Sequence, residues 1–274
     1  MIDIHCHVLP GIDDGPKNWE QSMALCEALV ADGITTAVAT PHLIDGIYPN
    51  SLDRVEPLTA QLNQRLSDAG IALKVLPGAE VDIASRYITG SSEGLPTLGG
   101  HAVLLEMPVA VIPGAMAEII FTILSRGLIP ILAHPERNEL VQDSPSHVQE
   151  WVDAGAMIQL DGDSLLGQWG KASDRSARSL LTRGLCHALA SDAHSCDRRP
   201  PRLRRAVEKA AELIGEEAAR SLVTSGPEMI LAGTAPPTPM YDVKPDSSHG
   251  STRDTPRRRR RKGFVSRLLG RAAQ

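Results

Sequence analysis

The chain predicts an α/β fold in which about seven strand–helix units wrap into a closed but irregular barrel. Short apolar runs alternate with amphipathic stretches over residues 1–232, the pattern of βαβ units and a parallel sheet. A length of 274 residues suits one α/β barrel. All but one of the strand-like runs also close on a polar residue, and in parallel barrels the chemistry gathers at strand C-termini.

Taken in order, the apolar runs end at His5, Thr40, Leu76, Glu106, His134, Asp161 and Ser191. Between them lie helical stretches at 19–31, 51–69, 113–126, 146–154, 172–183 and 203–223. In the first, Met23, Leu25, Cys26, Leu29 and Val30 fall near helical spacing, and Gly33 follows as a stop. The organisation read from this is a barrel over 1–232, a Pro/Ser-rich disordered linker over 233–256 and a basic tail over 257–274. The tail runs from Arg257 through Arg261 and Lys262 into Phe264, Leu268 and Leu269, which fit a short amphipathic helix.

Charge divides the chain in the same way. Residues 235–274 carry +7, which leaves −12 on the rest of a chain whose net charge is −5. An acidic globule with 3% aromatics argues against a nucleic-acid surface built on base stacking. Cys6, Cys26, Cys186 and Cys196 form no close pair, and neither a signal peptide nor a membrane-spanning run is evident. A soluble, reduced, cytoplasmic protein is the expectation.

The His-x-His of Asp3-Ile4-His5-Cys6-His7 is the most specific local signal. Alternate strand residues share a face, so two imidazoles emerge side by side and form half a metal site. Asp14, His42, Glu80, Glu106, His134, Asp192 and His194 supply further ligand types, nearly all at strand ends. Each alone has an ordinary explanation, as a turn residue, a cap or an ion-pair partner. Five histidines and four carboxylates together exceed one tetrahedral zinc and suit two or three divalent ions with mixed N/O ligation.

The chain resembles the polymerase-and-histidinol-phosphatase (PHP) superfamily, and within it the bacterial protein-tyrosine phosphatases of capsule and exopolysaccharide loci. The resemblance rests on Met1–Pro16, Thr40-Pro41-His42, Gly78-Ala79-Glu80, His134-Pro135-Glu136-Arg137, and Ser191-Asp192-Ala193-His194 through Pro201. It implies a distorted, TIM-like (β/α)7 barrel (the PHP fold) with three metals, manganese first and iron or zinc as alternatives. His5, His7, Glu80 and Asp192 would then hold one ion. Glu80 would bridge to a second with Glu106 and His134, and Asp14, His42 and His194 would hold a third. Arg137 and Arg199 match the family's phosphate-binding arginines, with Arg198 the rival of Arg199.

The implied activity is hydrolysis of phosphotyrosine on protein by a metal-activated water, regulating a membrane-associated tyrosine kinase of capsule or exopolysaccharide synthesis. The competing readings are a small-molecule phosphatase of histidinol-phosphate type and a non-catalytic, metal-bound regulator of polysaccharide export. Cys196 and Arg202 match the C-x₅-R spacing of thiol phosphatases. Pro200 and Pro201 remove backbone donors such a loop needs, so the match reads as coincidence, and Cys6 is expected to face packing. The basic stretch 257–271 fits either an anionic membrane surface as partner, which would place the protein at the inner face of the membrane, or a purely solvated tail. Nucleic acid ranks behind both.

Overall fold

Parallel pairing governs every strand ladder in the computed structural model, which describes residues 1–90 and 93–236. The strands are β1 (Ile2–Cys6), β2 (Thr36–Ala39), β3 (His42–Leu43), β4 (Lys74–Pro77), β5 (Glu80–Asp82), β6 (Ala102–Glu106), β7 (Ile129–Ala133), β8 (Met157–Asp161) and β9 (Ala188–Ala190). They form one sheet of order β1-β2-β4 and another of order β3-β5-β6-β7-β8-β9.

Two of the expected seven strands are each broken in two. β2 stops at Thr40-Pro41 before β3, because proline has no N–H to give a ladder. β4 stops at Pro77-Gly78 before β5. A Cβ on Gly78 would meet Val38 Cγ1 at 2.7 Å, so glycine is what lets this crossing of the two breaks pack. Joined across their breaks, the strands run in sequence order around a ring of seven. Beyond β9, Asp192 N–H donates to His5 O (2.9 Å), His7 N–H donates to Ala193 O (2.8 Å), and Cys6 bridges Ala193. Among the described residues no ladder closes β9 on β1; this isolated bridge alone brings the chain after the last strand back to the first, and the fold is a distorted (β/α)7 barrel rather than the closed one expected.

Alternation along the strands divides the core. Ile4, Val38, Leu104, Ile131, Ala133 and Ala190 belong to one apolar cluster, which we read as the inside of the ring. Cys6, Ala39, Leu105, Leu132, Leu160 and Leu189 belong to the other, with the helices. Ile4 and Cys6 fall in different clusters although two residues apart, because the β1–β2 register slips between Asp3 and Cys6. Cys6 is therefore in packing, with its thiol against Val38 O at 3.3 Å.

Helices occupy Trp19–Ala31, Leu52–Asp68, Met116–Ser125, Ser146–Asp153 and Gly170–Thr182, close to the expected stretches. The stretch 203–223 is two helices, Leu203–Ile214 and Glu216–Ser221, because Gly215 takes φ +87° and ends the first. Among the described residues, no helix is long and apolar enough to cross a membrane. Most of the expected linker (237–256) and the whole basic tail (257–274) lie outside the described residues.

Candidate metal centre

All nine candidate ligands meet at one mouth of the barrel. His5 and His7 close β1, His42 and Glu80 open β3 and β5 just past the strand breaks, and Glu106 ends β6. His134 follows β7, Asp192 and His194 follow β9, and Asp14 stands in the loop after β1. Four overlapping groups of ligand atoms lie within 4.8 Å of one another: His7 with Asp14, His42 and His194; His5 with His134 and Asp192; His5 with His7 and Glu80; and His42 with Glu80 and Glu106. Glu80 is the hub. Its Oε1 is 2.8 Å from His134 Nε2, and its Oε2 lies 3.0 Å from His42 Nδ1, 3.3 Å from His5 Nε2 and 3.4 Å from His7 Nε2.

Hydrogen bonds behind the rings decide which nitrogens are bare. His5 Nδ1 is 2.9 Å from the amide oxygen of Gln159, and His7 Nδ1 is 2.8 Å from Asp13 Oδ2. These acceptors select the Nδ1–H tautomer and turn the Nε2 lone pairs inward. There the two Nε2 atoms lie 3.3 Å apart and face Asp192 Oδ1 at 3.3 and 3.5 Å. Lone pairs and carboxylate oxygens converging at that distance repel one another unless a cation lies among them. Glu80 Oε2 and His42 Nδ1, both buried and 3.0 Å apart, also make no hydrogen bond of proper geometry to each other or to another group among the described residues. The donor set therefore fits divalent cations that accept nitrogen and oxygen ligands together.

Charge tells the same story. Burial disfavours a charged His5, yet Glu80 and Asp192 outweigh it and raise this imidazole to about 10. His42 is raised against burial to about 11 by Glu106 and Glu80. Burial opposes ionisation of Glu80 and Asp192 as well, but His5 foremost, with the other histidines and, at Asp192, Arg199, holds both carboxyls well below their usual range. Protons stand where cations would, so metal uptake would release them. His194 differs: burial and His7 pull it down to about 4, and its neutral Nε2 receives Arg199 Nη1 at 2.8 Å.

Backbone strain marks the same place. Among the described residues, His134 (φ 32°) and Asp192 (φ 49°) are the non-glycine residues with positive φ. Such conformations persist where the surroundings over-determine them, commonly at functional sites.

The arginines meet at Asp192. Arg137 Nη1 donates to Asp192 Oδ2 at 2.7 Å, and Arg199 Nη2 donates to the same oxygen. Arg198 is exposed, and it lines a cavity of about 460 Å³ with Asp14, Lys17 and Cys196. Arg199, not Arg198, reaches the centre.

Four contributors escaped the sequence reading. Asp13 rather than Asp14 orients His7, and nothing in a Gly-Ile-Asp-Asp-Gly turn tells the two apart. Gln159 is an inward polar residue of β8 without any spacing signature. Trp169 lies under both guanidiniums. Glu136 is buried and accepts from Asp161 N–H (3.0 Å) and Ser164 Oγ (2.7 Å), bracing the turn that carries Arg137.

Neither Cys6 nor Cys196 is set up as a nucleophile. Burial drives Cys6 well above the ordinary thiol range, and Cys196 is raised too, the opposite of an activated nucleophile. Arg202, the would-be partner of Cys196, is committed to Asp163 Oδ2 at 2.6 Å.

The sequence profile for capsular polysaccharide synthesis proteins of the CpsB/CapC type matches residues 1–232. The chain belongs to the CpsB/CapC family. It is 36% identical over 203 residues to the tyrosine-protein phosphatase YwqE of Bacillus subtilis, covering 71% of this chain and 78% of that one. It is 28% identical over 238 residues to the tyrosine-protein phosphatase CpsB of Streptococcus pneumoniae, covering 84% and 98%. A solved structure from work on those two proteins, described as metal-dependent tyrosine phosphatases, superposes with a TM-score of 0.81 at 35% identity, over 86% of this chain and 96% of that one. A histidinol phosphate phosphatase of Lactococcus lactis shares the fold at 12% identity, with a TM-score of 0.51 over 82% of this chain and 93% of that one.

Proposed function

We propose that this chain is a divalent-metal-dependent phosphomonoesterase acting on phosphotyrosine in a protein. The observation that carries the proposal is a juxtaposition at Asp192. Its Oδ1 faces the bare nitrogens of His5 and His7, while its Oδ2 receives two guanidiniums. One side suits cations and the other a phosphate oxyanion.

His5, His7, Glu80 and Asp192 would hold one ion, Glu80 with Glu106 and His134 a second, and Asp14, His42 and His194 a third. His42 presents Nδ1 to Glu80 and Glu106 and Nε2 to Asp14 (3.5 Å), so it stands between the second and third positions. Manganese is the first choice, with iron or zinc as alternatives. Bound ions would supply Lewis acidity and lower the pKa of water toward about 7. Arg137 and Arg199 would bind the phosphate oxygens and neutralise charge that builds on them. Asp13 and Gln159 would keep the imidazoles of His7 and His5 in the ligating tautomer.

The named activity of the relatives supports phosphotyrosine as the substrate group, and the family description supports a place in capsular polysaccharide synthesis. The protein substrate we propose is a membrane-associated bacterial tyrosine kinase of that process. The enzyme would act in the cytoplasm through its 1–232 barrel, with 257–271 touching anionic lipid at the inner membrane face. The test compares phosphotyrosine peptide, histidinol phosphate and an oligonucleotide, with and without Mn²⁺. Metal-dependent turnover selective for the phosphopeptide is expected. Preference for histidinol phosphate would replace the substrate assignment, and turnover surviving complete metal removal would refute the mechanism.

A further inference from the structure

Trp169 stands between the short helix Gly162–Leu165 and the helix Gly170–Thr182. Arg137 Cζ lies 4.0 Å from its ring centroid and Arg199 Cζ 5.1 Å. Its Nε1–H donates to Asp161 Oδ2, and that carboxylate oxygen is also 3.6 Å from Arg137 Nη1. The indole is 36% exposed and belongs to neither apolar cluster of the core. Core packing therefore does not explain it.

What it does touch is the pair of cations beside the metal centre. Two guanidiniums sharing one carboxylate oxygen repel each other, and an aromatic face attracts both. Arg137 Nη1 is engaged at Asp192, and Arg199 is engaged through Nη1 at His194 and Nη2 at Asp192. Among the described residues the other guanidinium N–H groups take no hydrogen-bond acceptor, which leaves them for an incoming oxyanion. The indole is in turn fixed by Asp161 at the end of β8, a rigid element rather than the loop itself.

We propose that Trp169 is a positioning residue of the phosphate subsite, holding Arg137 and Arg199 side by side so that both grip one phosphate group. The inference rests on the phosphatase reading above and deepens it. It requires that Trp169 act on the phosphate through the arginines, not by stacking on the substrate's tyrosine ring.

The test uses full-length, manganese-reconstituted protein and titrates inorganic phosphate by calorimetry and intrinsic fluorescence. Trp169→Leu is expected to weaken phosphate binding roughly tenfold, and Trp169→Phe, which keeps a π face, to recover most of it. kcat/KM should fall by at least that factor for phosphotyrosine peptide and for an aliphatic phosphomonoester alike, because the arginines act on charge that builds in the transition state. Phosphate should perturb the fluorescence of the parent protein, and both variants should lose that signal. In an Arg137→Ala/Arg199→Ala background, Trp169→Leu should add no further loss.

Unchanged phosphate affinity in Trp169→Leu overturns the proposal, as does a loss additive with that of the arginine variants. An effect confined to aromatic phosphates would assign the ring to the substrate's tyrosine instead. Lost manganese in Trp169→Leu would assign it to the fold. A parent protein that takes up manganese, yet neither binds phosphate nor hydrolyses phosphotyrosine, removes the phosphatase reading and this inference with it.

Discussion

Asp13→Asn is the substitution that most sharply separates a built metal site from a chance gathering of polar groups. Asp13 is 8% exposed and receives three donors: His7 Nδ1 (2.8 Å) and His42 N–H (3.3 Å) at Oδ2, and Gly15 N–H (2.9 Å) at Oδ1. An asparagine has one accepting oxygen in place of two. With its NH₂ toward His7, the ring must move its own proton to Nε2 and lose the lone pair that faces the other ligands. With its NH₂ toward Gly15, a buried backbone N–H is left unpaired, at about 1–3 kcal/mol. Either outcome removes the charge that holds the ring basic. Loss of such an outer partner lowers metal affinity about 10–100-fold, or about 1.4–2.7 kcal/mol. Competition between the protein and a chelator of known strength for Mn²⁺ measures this, with circular dichroism to confirm the fold. A folded Asp13→Asn protein that binds Mn²⁺ as tightly as the parent would refute the argument that the tautomer is set from behind.

Further outcomes follow from the same geometry. Arg199→Ala should lower kcat/KM for a phosphotyrosine peptide by about 10²–10³, as loss of a preorganised oxyanion donor does, while Arg198→Ala should stay within about threefold. Steady-state kinetics on both variants checks this, and equal losses would contradict it. His187, 2% exposed, accepts from Ile158 N–H at 3.1 Å, and burial pulls it from 6.5 down to about 4. Between those values the unfolded chain binds a proton that the folded chain refuses. Stability is therefore lost as pH falls through that window, by up to on the order of 3 kcal/mol, and the effect vanishes above 6.5. His187→Asn keeps an acceptor for Ile158 and should flatten denaturant-measured stability between pH 6.5 and 4 relative to the parent. Parallel curves would show that this histidine is not the source.

The legible part of this molecule was its periodicity and its strand ends. Apolar runs alternating with helical stretches predicted a seven-unit barrel, and His5-Cys6-His7 drew attention to the mouth at which the nine candidate ligands meet. The breaks at Pro41 and Gly78 carry no signal of their own in the sequence. They split two strands into offset courses because of a missing donor and a close crossing, effects that appear only once neighbouring strands are in place. Gly215 lies inside a continuous helical period, so its positive φ was equally hidden. Residues behind the ligands were the least visible. Asp13, Gln159 and Trp169 act on partners 6 to 154 positions away, or through ring faces, and no local spacing encodes such contacts. Arg199 was separable from its neighbour Arg198 only after the turn following β9 showed which guanidinium points inward.

Electron paramagnetic resonance of the manganese-loaded protein, with elemental analysis of the same sample, tests the central claim most directly. If the imidazoles and carboxylates at this mouth share a cluster of ions, with Glu80 between two of them, each chain will hold two or three manganese ions. Their spectrum will be exchange-coupled, and Glu80→Gln will abolish the coupling. One isolated six-line manganese signal per chain, unaffected by Glu80→Gln, would contradict the account.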